Sequence, residues 1–116
     1  MAEYTNVRVA IEDRIAILTI DHPPANAFNR ATVTELGLAM DELIANDQVK
    51  VIIITGAGEF AFVAGADINE INQVKTAEEA LAFIRLGQGV FNKVEDCPKP
   101  VIAAINAVAL GGGLEL

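Results

Sequence analysis

The chain has 116 residues, enough for one small domain, with 53% hydrophobic and 21% charged residues and a mean hydropathy of +0.40, a composition that excludes a disordered chain. Its formal net charge of −8 and pI near 4.4 exclude broad nucleic-acid binding, which needs a basic surface to displace phosphate counterions. A single cysteine, Cys97, excludes an internal disulfide and points to a reducing, cytoplasmic setting.

No signal peptide is expected, because the first residues lack a basic region followed by an apolar one. The longest apolar stretch, residues 101–110, is broken by Asn106 and is too short to cross a bilayer. No membrane partner is expected.

In chain order, Val7, Val9 and Ile11 alternate with polar or small residues, which predicts a half-buried strand. Glu12-Asp13 reads as a turn, and residues 14–20 as the returning strand of a hairpin. Pro23-Pro24 then stops regular structure, since proline cannot donate to a ladder. A helix follows, capped by Asn29 or by Thr32, whose spacing to Glu35 is that of a capping box. Val33, Leu36, Met40, Leu43 and Ile44 fall on one face of it. Residues 51–54 are apolar and β-branched throughout, as expected of a strand covered on both faces.

Residues 56–67 form a glycine-rich loop. Thr76-Ala77-Glu78-Glu79 is a second capping box, opening a helix with Ala80, Phe83, Ile84, Val90, Phe91 and Val94 as expected core positions. Pro98 and Pro100 end it, and residues 101–105 read as a further buried strand. Gly111-Gly112-Gly113-Leu114-Glu115 then reads as the first turn of a helix. The order is ββα, βα, then β with the start of a helix, an α/β arrangement without a sequence repeat. Few elements remain to cover the strand at 101–105, so the chain is expected to be the N-terminal portion of a larger domain.

Both glycine loops follow short strands, where α/β folds commonly place ligand sites. In Phe62-Val63-Ala64-Gly65-Ala66-Asp67-Ile68, a small residue after glycine could present a free N–H to a carbonyl. Residues 111–113 would open a helix whose first N–H groups have no internal partner, with the helix dipole adding positive potential. Two such donors on one oxygen make an oxyanion hole. Either loop alone reads more readily as an ordinary connection; the combination is far more specific.

These two loops, together with Asp21-His22-Pro23-Pro24-Ala25-Asn26-Ala27-Phe28, residues 51–56 and Lys99-Pro100-Val101-Ile102-Ala103-Ala104-Ile105-Asn106, resemble the crotonase superfamily, and within it the enoyl-CoA hydratases. The resemblance runs in order over nearly the whole chain. It implies a crotonase-like (ClpP/crotonase) fold, a spiral of ββα units. Residues 1–116 would be its N-terminal part, with the C-terminal half and the trimerisation region absent.

It also implies that the backbone N–H groups of Ala66 and Gly112 hold an acyl-CoA thioester carbonyl. Ala64, Gly65, Ala66, Asp67 and Ile68 would line the CoA groove, with Ala25 and Asn26 beside it. Glu115 would be the first of two catalytic glutamates, the second lying past Leu116. No cofactor apart from the CoA of the substrate and no metal is implied, and the full-length form would be a homo-oligomer. The implied activity is hydration of 2-enoyl-CoA, as in fatty-acid β-oxidation. The alternatives are an inactive fragment or another acyl-CoA enzyme of the family, such as an enoyl-CoA isomerase.

Other signals carry less. Gly56-x-Gly58-x-x-Ala61 matches a loosened dinucleotide fingerprint, with Glu78 and Glu79 near the spacing of its partner acid. His22 and Cys97 read as a loop histidine and a structural thiol rather than a catalytic pair. Asp41, Glu42 and Asp47 read as a solvated helix face. Lys75, Arg85, Lys93 and Lys99 could meet CoA phosphates, but no spacing selects among them. Without the resemblance, Glu115 reads as a first-turn carboxylate favoured by the helix dipole.

Overall fold

The computed structural model describes residues 4–116. Strand β1 (Val7–Glu12) and strand β2 (Ile15–Ile20) form an antiparallel hairpin, Val7 facing Ile20 and Glu12 facing Ile15. The turn is Asp13-Arg14, one residue later than expected. Both residues have positive φ (51° and 68°), which matches a two-residue turn to the twist of the hairpin.

Helix α1 (Arg30–Ala45) follows. Asn29 caps it, its side chain accepting from the Thr32 N–H at 2.8 Å. Thr32 is therefore not the cap. Its hydroxyl donates to Asn29 Oδ1 and accepts from Asn6 Nδ2, while Glu35 accepts from the Asn6 N–H instead of closing a capping box. The expected apolar face holds: Val33, Leu36, Met40 and Leu43 are buried, with Ile44 packed at the margin. Glu42, expected in solvent, has a buried Oε2.

Strand β3 (Val51–Gly56) runs parallel to β2, and strand β4 (Ala61–Val63) peels away from it into a second sheet. Helix α2 (Ile68–Asn72) and helix α3 (Ala77–Glu95) follow. Thr76 caps α3 as its spacing predicted, accepting from the Glu79 N–H at 3.1 Å; Glu79 returns to the Lys75 N–H at 2.8 Å. Strand β5 (Val101–Ala104) pairs parallel with β3, strand β6 (Val108–Ala109) pairs parallel with β4, and helix α4 (Gly112–Glu115) ends the described chain.

Three successive ββα units thus wind through two sheets, ordered β1-β2-β3-β5 and β4-β6. The first strands of the second and third units extend the large sheet, and their second strands build the small one. The spiral comes from this alternation. Strands β4 and β6 carry no signal in the sequence, since three and two residues are too short to show a period.

One face of the large sheet carries Ala16, Leu18, Ile20, Ile52 and Ile54, sealed with Leu36, Met40, Leu43 and Phe62 into one core. Gly37 lets α3 approach α1, since a Cβ there would sit 3.0 Å from Val90 Cγ2. The other face is uncovered, leaving Ile15, Ile17 and Ile102 exposed by 38%, 40% and 52%. The expectation of two covered faces for residues 51–54 is therefore corrected: burial alternates along β3, with only its even-numbered residues inside. Residues 101–105 are likewise not buried; β5 is an edge strand with an exposed outer half. Of the core positions expected in α3 only Val90 is fully buried, and Ile84 is 52% exposed.

Candidate active site

The site grows from the way three loops lie together. Ala64 N–H donates to the Ala25 carbonyl at 3.1 Å, Phe28 N–H to Gly65 O at 2.7 Å, and Asp67 N–H to Phe28 O at 2.7 Å. The last two bonds make a parallel bridge between Phe28 and Ala66. In a parallel bridge the residue flanked by both bonds turns its own N–H away from the partner. The Ala66 N–H accordingly has no acceptor among the described residues.

The second loop docks on the first. Leu110 N–H donates to Val63 O at 3.1 Å, and a Cβ on Gly111 would stand 3.7 Å from Gly65 Cα. Both glycines have positive φ, 101° at Gly65 and 49° at Gly111, a conformation side chains resist. Gly112 is the first residue of α4, and its N–H is also unpartnered among the described residues. A helix of four residues has little macrodipole, so the free N–H itself, not the dipole expected from sequence, is what this position offers.

Ala66, Gly112 and Glu115 line one cavity of 270 Å³, walled by Phe28, Val33, Phe83, Ile84 and Phe91. The three residues predicted to be catalytic are thus brought together. Phe28 and Phe91 pack with ring centroids 5.7 Å apart. A neighbouring apolar cavity of 390 Å³, lined by Ile71, Val74 and Ala80, shares Ala66, Phe83 and Ile84 with the first. A larger one of 510 Å³, bounded by Cys97 and Lys99, shares only Phe91 and Glu115 and holds neither donor. Helical periodicity marks the wall residues on α3 as core, because being half-buried around a cavity leaves the same signature in the sequence.

The predicted groove residues divide. Gly65, Ala66 and Asp67 bend around Phe28, and Asp67 caps α2 by accepting from the Asn69 N–H at 2.8 Å. Ile68 is 71% exposed at the rim. Ala25 contributes its carbonyl to Ala64. Asn26 is buried and its carboxamide is committed: it donates to Ala57 O at 3.1 Å and Ala61 O at 2.9 Å, and accepts from the His22 N–H at 2.9 Å. Asn26 builds the loop and has no polar group to spare.

Several other signals resolve. His22 Nδ1 lies 2.6 Å from the Ala27 carbonyl, within its own loop. Lys93 pairs with Asp41 at 2.9 Å, and Lys99 donates to the Leu43 and Asn46 carbonyls at 2.7 Å each, capping α1. The dinucleotide fingerprint is overturned, because β4 follows Gly58 where a helix N-terminus would have to receive a pyrophosphate. No described helix is long and apolar enough to cross a membrane.

The chain has counterparts among known proteins. The family model described as enoyl-CoA hydratase/isomerase matches residues 10–116. A short-chain-enoyl-CoA hydratase of Clostridium acetobutylicum is 44% identical over 98% of this chain, and a crotonyl-CoA hydratase of Syntrophomonas wolfei is 45% identical over 97%. The chain spans 44% of the length of each. A crystal structure of an enoyl-CoA hydratase from Bacillus anthracis superposes on 96% of the chain with a TM-score of 0.91 at 34% identity, the match covering 43% of that protein. With the family model matching over nearly its whole length and the spiral of ββα units shared, this chain belongs to the enoyl-CoA hydratase/isomerase family and has the crotonase fold.

Proposed function

We propose that the chain acts in hydration of 2-enoyl-CoA thioesters, supplying both carbonyl-polarising donors and one of the two carboxylates. The observation that carries this reading is the shared cavity of Ala66, Gly112 and Glu115, with both backbone N–H groups free. A thioester oxygen seated between the two donors gains charge as an enolate forms. The donors then stabilise the transition state more than the ground state, by about 3 kcal/mol for each well-placed one. One carboxylate takes a proton from water as its oxygen bonds to the β-carbon, and the other exchanges the proton at the α-carbon. Glu115 supplies one of these; the resemblance expects the second further along the polypeptide. The CoA moiety would lie along residues 64–68, the cytoplasm is the fitting compartment, and assembly as a homo-oligomer is part of the same proposal.

A second reading has one specific observation behind it. Among the described residues Glu115 is the only carboxylate lining the donor cavity. A site with donors and a single acid–base group fits a chain that binds and polarises an acyl-CoA without turning it over. Incubation with crotonyl-CoA, followed by loss of the enoyl-thioester absorbance, separates the two. Turnover that falls at least about 100-fold in Glu115→Gln supports hydration. Saturable binding without turnover supports the second reading, and absence of binding overturns both.

A further inference from the structure

We infer that Glu70 is a positioning residue for the Ala66 donor, acting by fastening α2 to the N-terminus of α1. The inference rests on the oxyanion-hole reading and deepens it. Helix α2 has five residues, none of them buried, so packing alone does not hold it. It nevertheless continues directly from Ala66 and Asp67, and any drift of α2 would turn the Ala66 N–H.

Two ties oppose that drift. The first is the backbone bridge between Phe28 and Ala66. The second is Glu70, whose Oε1 accepts from the Arg30 N–H at 3.1 Å and lies 4.0 Å from Arg30 Nε. Among the described residues this is the only side-chain hydrogen bond from α2 to another element. It reaches the first N–H of α1, which has no partner inside its own helix. The guanidinium of Arg30 in turn stands 5.9 Å from the centre of the Phe83 ring, a wall of the donor cavity. The two ties leave the same short stretch of chain: residue 28 meets residue 66, and residue 30 meets residue 70. Phe28 and Arg30 flank the Asn29 cap, so the capped N-terminus of α1 is the anchor for both.

The group that matters is the acceptor oxygen, more than the charge. Glu70→Gln can keep the bond to the Arg30 N–H, whereas Glu70→Ala removes it. The readout is the carbonyl resonance of [1-¹³C]crotonyl-CoA bound to the chain, which moves downfield when donors polarise the thioester. Wild type and Glu70→Gln are expected to show the same downfield shift. Glu70→Ala is expected to lose more than half of it, with the affinity for crotonyl-CoA changing less than about threefold, because groove contacts away from the carbonyl are untouched. Amide exchange at Asp67 should quicken in Glu70→Ala alone.

A full shift in a folded Glu70→Ala overturns the inference. Global unfolding of Glu70→Ala, seen by circular dichroism, overturns it too, because the contact would then hold the fold and not the donor. An unshifted carbonyl in the wild-type complex refutes the oxyanion-hole reading underneath, a result distinct from either.

Discussion

Gly113 lies so close to the carbonyl oxygen of Val63 that a Cβ at this position would overlap it. The contact joins α4 to β4, and Leu110 bonds to the same carbonyl at 3.1 Å. The third glycine of the triplet is therefore a packing requirement, and it sets how near the Gly112 N–H comes to the first loop. Gly112 is different: a Cβ there would meet the Phe28 ring at 3.4 Å, an ordinary contact.

Gly113→Ala is accordingly expected to destabilise the chain by about 1–3 kcal/mol, the usual effect of overpacking, and to push α4 off β4. In a domain of this size that lowers the melting temperature by roughly 4–8 °C for each kcal/mol. Gly112→Ala should melt within a few degrees of wild type while narrowing the donor cavity. Thermal unfolding of the two variants side by side checks the assignment, and equal melting temperatures would contradict it.

Asn26 should behave as a buried hub. Its carboxamide serves three backbone groups, and its φ is 54°. Asn26→Ala leaves the Ala57 and Ala61 carbonyls and the His22 N–H unsatisfied, at a cost of about 2–4 kcal/mol. Positive φ adds about 1 kcal/mol for alanine, a part that glycine avoids. Urea denaturation should therefore rank wild type above Asn26→Gly, and Asn26→Gly above Asn26→Ala. A ranking with glycine at the bottom would locate the strain elsewhere.

Tyr4 provides a pH test. Its hydroxyl is buried beside the Glu42 carboxylate, whose Oε2 is buried with it. Burial first, then a hydrogen bond with the Glu42 carboxylate and its negative charge, pushes its pKa up from 10.0 to about 12. A raised pKa means that the folded state holds the phenolic proton more tightly than the unfolded chain does. The corresponding stability is fully present below pH 10 and is lost as pH rises towards 12. Phenolate absorbance reports this directly, since Tyr4 is the only tyrosine. Tyr4→Phe should lack the alkaline loss of stability that Tyr4 contributes. A wild-type phenol that titrates at its ordinary pH would refute the account.

The sequence by itself determined the elements that have a period or a cap. The hairpin, the buried face of α1, the Thr76 cap and the two glycine loops were all legible, because each depends on residues a few positions apart. The family resemblance that its motifs carry also pointed to Ala66, Gly112 and Glu115. What the tertiary structure decided is everything that depends on which chain segment arrives alongside. Strands β4 and β6 are too short to announce themselves and exist only as each other's partners. Whether an apolar strand is covered on one face or two is not a property of that strand, and β3 and β5 proved half-covered and edge-exposed. That two carbonyls more than thirty positions away engage the Asn26 amide was likewise decided by the tertiary structure. The two donors themselves were legible as types of residue. That they are free, and open on one cavity beside Glu115, follows from the Phe28 bridge and the Val63–Gly113 contact, neither of which has any local sequence signal.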